Sequence, residues 1–223
     1  MKIKLTDRMQ TIADMVIKGE DAADIGTDHG YIPAYLLKEG ICPKVVLSDI
    51  SEGPLLRAKT HFEEFCLVGD FRLGPGFDVL KPSEVSTVVI AGMGGETIID
   101  ILGKDLSKTK SYKRIVLQPR TFIGALRVWL SENGFEFTDY ALCREKDMIC
   151  EVMAVSPGES KEKEDALFSR FLLKKGDPLL KEYLSRIISG KKDILKQLGN
   201  SKTDNTELEA ELKKDIQYLE NIY

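Results

Sequence analysis

Asp24-Ile25-Gly26-Thr27-Asp28-His29-Gly30-Tyr31-Ile32-Pro33 is the stretch that decides how this sequence folds. Residues 22–25 are short and mostly apolar, as a buried strand is. Gly26 and Gly30 then let the backbone take positive φ and approach a ligand closely. Pro33 suits a first helical turn, where its missing N–H costs nothing. The stretch predicts a strand, a tight turn and a helix.

A dinucleotide-binding turn follows G-x-G-x-x-G. Here Asp28 stands where the middle glycine would be. A carboxylate beside a pyrophosphate is repelled and costly to desolvate, but it is tolerated beside a cation. The turn therefore fits S-adenosylmethionine, with its sulfonium and ammonium, better than a nicotinamide dinucleotide. An ordinary strand–turn–helix junction with no ligand fits the ten residues equally well.

Upstream, residues 5–18 carry Leu5, Met9, Ile12, Ala13, Val16 and Ile17 at helical spacing. Thr6 or Asp7 can cap this helix. Asp7, Arg8 and Asp14 fall on its polar side and read as solvated surface, with Arg8 near a substrate mouth as the alternative. Downstream, a helix over 31–39 ends at Gly40, and residues 44–50 form a second strand ending in Asp49. Asp49 lies 19 residues past Gly30. A doubly wound fold places its ribose-binding acid at roughly 20 residues. Alone, Asp49 reads as a cap for the helix over 51–65; with the glycine turn upstream it reads as the ribose acid. That helix is expected to turn Leu55, Leu56, Ala58 and Phe62 inward.

Residues 71–73 predict a third strand, broken by Gly74-Pro75-Gly76 where a nucleoside base would lie. Residues 85–93 are nearly all apolar, as a central parallel strand is, and run into Gly92-Met93-Gly94-Gly95 before a helix over 96–106. A fifth strand over 114–118 closes on Pro119-Arg120, with a helix over 122–133 after it. Residues 135–144 and 148–155 pair antiparallel around Glu145-Lys146-Asp147. Five β/α units and a hairpin predict an α/β fold: a mostly parallel sheet with one antiparallel edge strand and helices on both faces. Ligands then sit at the carboxyl ends of the strands, where residues 26–30, Asp49, residues 74–76, 92–95 and 118–120 all fall.

The formal charge is −4 over 223 residues, so any nucleic-acid contact comes from a local patch rather than the overall field. No apolar run reaches membrane-spanning length and the N-terminus lacks an apolar signal core, so no membrane partner is expected. Cys42, Cys66, Cys143 and Cys150 form no C-x-x-C pair, and His29 and His61 are the only histidines. No metal site is expected, and free thiols suit a reducing cytoplasm.

Ser156-Pro157-Gly158 and the charged residues 159–165 mark a boundary between a domain at 1–158 and a helical segment at 159–223. A short helix over 167–173 is broken by Gly176-Asp177-Pro178. Leu180, Leu184, Ile187, Ile194 and Leu198 follow near-heptad steps, with Lys191 at one seam position. After a polar turn at 199–206, Leu208, Leu212, Ile216 and Leu219 repeat the spacing. This predicts an antiparallel coiled-coil hairpin. Lys174, Lys175, Lys181, Arg186, Lys191, Lys192, Lys196 and Lys202 stud its first part, as a wet helix face or as a phosphate-tracking surface. The sequence sets no oligomeric state.

Taken together, residues 24–33, Ser48-Asp49-Ile50, residues 72–76, Ile90-Ala91-Gly92-Met93-Gly94-Gly95 and Gln118-Pro119-Arg120 resemble the bacterial tRNA (adenine-22) N1-methyltransferases. These are Rossmann-like class I S-adenosylmethionine enzymes with a helical coiled-coil C-terminus. The resemblance implies methyl transfer to N1 of one adenine in tRNA. It matches Gly26, Thr27, Asp28 and Gly30 to the methionine-binding turn, Asp49 to the ribose acid, and residues 92–95 to the segment facing donor and target base. It extends the expected donor-binding set to Asp24, His29, Ile50, Gly74, Gly76, Gly92 and Met93. His29 is equally readable as a structural hydrogen-bonder. One position departs: the family resembles R-L-G-D-G at the third strand, and Pro75 replaces that acid here. A backbone carbonyl, or Asp70, would have to meet the adenine amine.

Adenine N1 has an in-plane lone pair, so alignment with the sulfur–methyl bond matters more than a general base. A fixed carboxylate would stabilise the cation that develops on the base. Asp28 is the candidate catalytic residue, with orientation of donor or loop as its other role. Tyr31, Phe77 and Met93 are the nearest stacking candidates. Amine methyltransferases carry an Asn/Asp-Pro-Pro-aromatic tetrad that residues 92–95 lack. Methylation of another nucleic acid or a small molecule, or a non-catalytic donor-binding interaction protein, are the other readings.

Overall fold

A computed structural model describes residues 2–159, 164–199 and 205–222. The stretch 160–163 of the expected charged boundary and residues 200–204 of the expected polar turn, Lys202 included, lie outside the described residues. Seven strands form one sheet: β1 (Ala22–Ile25), β2 (Val45–Asp49), β3 (Asp70–Leu73), β4 (Thr87–Met93), β5 (Arg114–Pro119), β6 (Phe135–Glu145) and β7 (Met148–Pro157). Their order is β3-β2-β1-β4-β5-β7-β6. Strands β1 to β5 are parallel to one another. The one antiparallel strand, β7, lies at the far end, between β5 and the edge strand β6. The chain winds outward from β1 to β3, then returns to β4 on the other side of β1. That reversal opens a crevice at the carboxyl ends of β1 and β4.

Period-two alternation along the central strands feeds two apolar layers. Val88, Ile90, Ile115 and Leu117 face one layer with Ile98, Leu102, Leu126 and Leu130. Val89 and Val116 face the other, with Ile12, Ala34, Leu36 and Phe62. The covering helices are α1 (Asp7–Asp14), α2 (Tyr31–Lys38), α3 (Glu52–Glu64), α4 (Gly95–Gly103), α5 (Leu106–Thr109) and α6 (Ile123–Glu132).

Several expected boundaries move. Helix α1 stops at Asp14, and Thr6 is its cap, its Oγ1 accepting from the Met9 N–H at 3.4 Å. Leu56 is exposed rather than inward; Leu55, Ala58 and Phe62 fill the buried face, and Leu56 lies one residue around the helix from it. The helix expected over 96–106 is two helices, the second capped by Asp105, which accepts from the Lys108 N–H at 3.0 Å.

Three helices follow the sheet: α7 (Arg170–Lys175), α8 (Leu180–Leu198) and α9 (Thr206–Ile222). Ser169 caps α7, and Gly176 ends it in the left-handed region at φ +68°. Helices α8 and α9 pack together, with Lys191 paired to Asp215 and Lys192 to Glu220, each at 2.7 Å. Leu180, Leu184, Leu212, Ile216 and Leu219 are buried, while Ile194 and Leu208 of the expected seam are exposed. Phe168, Leu172, Leu180, Leu184 and Leu219 join the apolar layer of the sheet itself.

Candidate active site

A cleft of about 310 Å³ opens at the reversal. Asp24, Gly26, Thr27, Asp28, His29 and Gly30 line it from β1, Gly92 from β4, and Arg8 and Arg120 from the flanks. The turn after β1 is drawn onto β2, because the N–H groups of Gly26 and Thr27 both donate to Ser48 O, at 2.8 and 2.9 Å. Gly26 sits at φ +77°, and a Cβ there would overlap Met93 Cε. Gly30 starts α2 at φ +64°, where a Cβ would meet Leu47 at 3.0 Å and Ala58 and Phe62 at 3.2 Å. Both glycines are therefore fixed by conformation and by space.

Asp24 stands at the cleft floor. Burial pushes its carboxyl up to about 6; Thr27 and the Arg8 guanidinium pull it back, and the Asp49 charge adds to the rise. Thr27 Oγ1 and Ser48 Oγ are buried without a hydrogen-bond partner among the described residues. A desolvated carboxylate at Asp24 and an orphaned hydroxyl at Thr27, both lining the cleft beside a glycine turn, suit a cationic ligand.

Arg8 is not solvated surface. Its Nε donates to Glu145 at 2.6 Å and its Nη1 to the Gln118 side-chain oxygen at 3.0 Å, which fixes the guanidinium in the cleft wall. The placement of Arg8 agrees with the alternative reading of it, near a substrate mouth, but Glu145 did not stand out in the sequence, since 137 residues separate the two. Asp28 faces the cleft mouth and is paired with Arg57 of α3, whose Nε donates to Oδ1 at 2.9 Å; His29 Nε2 lies 3.5 Å from Oδ2. Arg57 is the second site residue that the sequence did not reveal.

Asp49, Ile50, Gly74, Gly76 and Met93 do not line the cleft itself. Four of them continue the same edge of the sheet: Asp49 pairs in register with Leu73, and the Gly74 N–H donates to Asp49 O at 3.0 Å. Asp49 also caps α3's entry, accepting from the Ser51 N–H at 2.8 Å. Ile50 is 73% exposed. Gly76 takes φ +49° against Ile101. Asp70 cannot replace the missing acid, because it begins β3 at the opposite end of the strand and is held by Arg72. The Pro75 carbonyl is taken by the Asp78 N–H at 3.1 Å, and Asp78 is paired with Lys104. Phe77 is no stacking platform either, being buried edge-on against Tyr112. Tyr31 does line the cleft, with its ring 4.5 Å from that of His61.

Among the described residues no group of acids, histidines and cysteines is arranged to hold a metal ion, and no helix is long and apolar enough to cross a membrane.

A family model described as a methyltransferase domain matches residues 5–153. The tRNA (adenine(22)-N(1))-methyltransferase of Bacillus subtilis is 32% identical over 160 residues, covering 71% of this chain and 67% of that protein. The crystal structure of the B. subtilis m1A22 tRNA methyltransferase TrmK superposes with a TM-score of 0.87 at 27% identity, covering 99% of each chain. The structure of M. capricolum TrmK with its cofactor product S-adenosyl-homocysteine superposes with a TM-score of 0.82 at 25% identity, covering 98% of this chain and 99% of that one.

Proposed function

Because the chain belongs to the tRNA (adenine-22) N1-methyltransferase family, we propose that it methylates N1 of adenine 22 in tRNA with S-adenosylmethionine as donor. The observation that carries this reading is the pairing of Asp24 and Arg8 in one cleft. A cleft-lining carboxylate and a fixed guanidinium offer opposite charges to the ammonium and carboxylate of one amino-acid moiety. When bound, the donor supplies an electrophilic methyl group on sulfur. Asp24 takes the ammonium, Arg8 faces the carboxylate, and the backbone at Gly26 and Gly30 lies close because no side chain intervenes. Asp49 takes the ribose hydroxyls, next to Gly74, Gly76 and the exposed Ile50.

Asp28 stands at the mouth, where the target adenine arrives. As positive charge develops on the ring, a carboxylate there stabilises it and accepts from the exocyclic amine. No proton has to leave N1 before it attacks, so Asp28 serves as a charge and a hydrogen-bond acceptor rather than as a base. His29 and Arg57 flank it. With Pro75 in place of an acid, backbone groups beyond β3 carry the adenine recognition.

The adenine must leave its stack to reach the cleft, which asks for a broad grip on folded RNA. Residues 1–158 act as the catalytic domain, and residues 159–223 as a helical coiled-coil appendage that tracks tRNA phosphates. This chemistry belongs in the cytoplasm. Incubation with unmodified tRNA and labelled donor, followed by mapping of the modified nucleoside, tests the reading. Label in 1-methyladenosine at position 22 is expected; label at another nucleoside, or none, overturns it.

A further inference from the structure

We propose that Arg120 binds a backbone phosphate of the tRNA nucleotide presented to the cleft. The inference rests on the tRNA methyltransferase reading and names the side chain that meets the polymer beside the reacting base.

Arg120 follows β5 and lines the same cleft as Asp28 and Gly92. Its backbone N–H donates to Met93 O at 2.8 Å, and the Gly95 N–H donates to Thr121 O at 2.8 Å. The loops after β4 and β5 are thus laced into one wall, and the root of the Arg120 side chain is fixed. Its guanidinium is not: the side chain is 56% exposed and makes no hydrogen bond among the described residues. The nearest acid is Glu145, at 3.7 Å. Glu145 already accepts from Arg8 Nε at 2.6 Å, and Arg8 is largely buried. One carboxylate is therefore shared by two cations, and the shorter contact belongs to Arg8. Arg120 is left as the loosely held charge, free to exchange Glu145 for an incoming anion without leaving that acid unpaired.

Two anions come to this cleft, the donor's carboxylate and the polymer's phosphates. Arg8 is largely buried and fixed in the cleft wall by Glu145 and Gln118, whereas the Arg120 side chain is 56% exposed at its rim. Arg8 therefore belongs to the amino-acid end of the donor, and Arg120 to what arrives from solvent. A nucleotide splayed out of folded RNA enters base first, so its phosphates stay at the rim. A planar guanidinium presents a fork that matches phosphate oxygens in a bidentate way.

The test uses the full chain with Arg120→Ala and Arg120→Lys. S-adenosylhomocysteine binding is measured by calorimetry, and tRNA binding by anisotropy across a salt series at saturating S-adenosylhomocysteine. For Arg120→Ala, S-adenosylhomocysteine affinity should stay within about twofold, tRNA affinity should fall about tenfold, and the slope of log K against log salt should shrink by about 1. Arg120→Lys should keep the slope while losing part of the affinity, because it keeps the charge and loses the fork. Unchanged tRNA affinity and slope in Arg120→Ala would overturn the proposal. So would weakened S-adenosylhomocysteine binding with an unchanged tRNA slope, which would assign Arg120 to the donor's carboxylate. If the wild-type chain itself binds no tRNA, the functional reading falls and this inference falls with it. A wild-type chain that binds tRNA beside an indifferent Arg120→Ala variant removes the inference alone.

Discussion

Arg57 Nε donates to Asp28 Oδ1 at 2.9 Å, tying the middle of α3 to the turn after β1 across 29 residues of sequence. Both side chains are about half exposed, so the pair contributes no more than about 1 kcal/mol to folding. Its consequence is for chemistry, since the carboxylate at the cleft mouth is already neutralised before a base arrives. Arg57→Ala should leave the melting temperature nearly unchanged and leave kcat unchanged or raised, because Asp28 then faces the adenine without a competitor. Asp28→Ala should keep donor affinity within a few fold and lower kcat by at least about tenfold, the size expected when one charge-stabilising group is lost. Equal loss of kcat in both variants would assign the pair to holding the loop and remove Asp28 from the reaction.

Asp24 gives donor binding a pH dependence. Its carboxyl is raised from 3.8 to about 6 without donor, and the ammonium of the donor favours the ionised form. Below about pH 6 the proton must be displaced before binding, so the apparent Kd should rise towards tenfold per pH unit as pH falls. Folding runs the other way. The native state holds a proton that the unfolded chain releases between about pH 4 and 6, so this group's contribution to stability falls as pH rises through that window, by at most about 3 kcal/mol. Asp24→Asn should bind donor weakly with a flat profile from pH 5 to 7.5, and should melt higher than the parent at pH 7.5 when donor is absent. Calorimetric titration and thermal melts check both; a parent Kd flat across the window removes Asp24 as the ammonium ligand.

Gly26 is constrained twice, by φ +77° and by the Met93 thioether lying where its Cβ would be. Gly26→Ala should cost about 1–2 kcal/mol from the backbone alone and weaken donor binding more than tenfold. Met93 is a flexible obstacle, so adding Met93→Ala should recover the steric part of the loss but not the conformational part. Urea titrations of the single and double variants separate the two. Full recovery in the double variant would mean that the backbone conformation costs nothing there.

What the sequence disclosed and what it hid divide by range. The turn at residues 24–33, the acid ending β2 and the glycines after β3 and β4 are local signals, and the parallel sheet brings them to one edge. Leu56 misled because apolar residues at 55 and 56 both fit an amphipathic count, and only packing decides which faces inward. Arg57 and Glu145 were hidden, and Arg8 was offered at a substrate mouth only as the alternative to surface, because each acts through a partner far along the chain and a lone charged residue on a helix or strand reads as surface. That α8 packs with α9 was legible in spacing, but Ile194 and Leu208 of the expected seam are exposed, and the attachment of these helices to the sheet was not legible.

That attachment is polar as well as apolar. Glu151 of β7 is fully buried; it pairs with Arg127 of α6 at 3.3 Å and accepts from the hydroxyls of Tyr140 in β6 and Tyr183 in α8. Burial and the Glu151 charge push both phenols up, so they remain donors throughout the accessible pH range. Glu151→Gln strands the Arg127 charge and should cost about 3–5 kcal/mol. Tyr183→Phe removes one charge-assisted bond and should cost about 1.5–3 kcal/mol. Urea midpoints measure both. Because Tyr183 is the only one of these groups on α8, its loss should also speed amide exchange along α8 while leaving β1 and β4 protected. A deletion starting at residue 159 would remove the Tyr183 bond together with Phe168, Leu172, Leu180, Leu184 and Leu219 from the sheet's apolar layer. Tyr183→Phe is therefore the cleaner probe of how the helical segment is held. Unchanged exchange along α8 in that variant would mean that the apolar contacts and the Glu182–Arg144 and Arg186–Asp147 contacts fix it to the sheet without the Tyr183 bond.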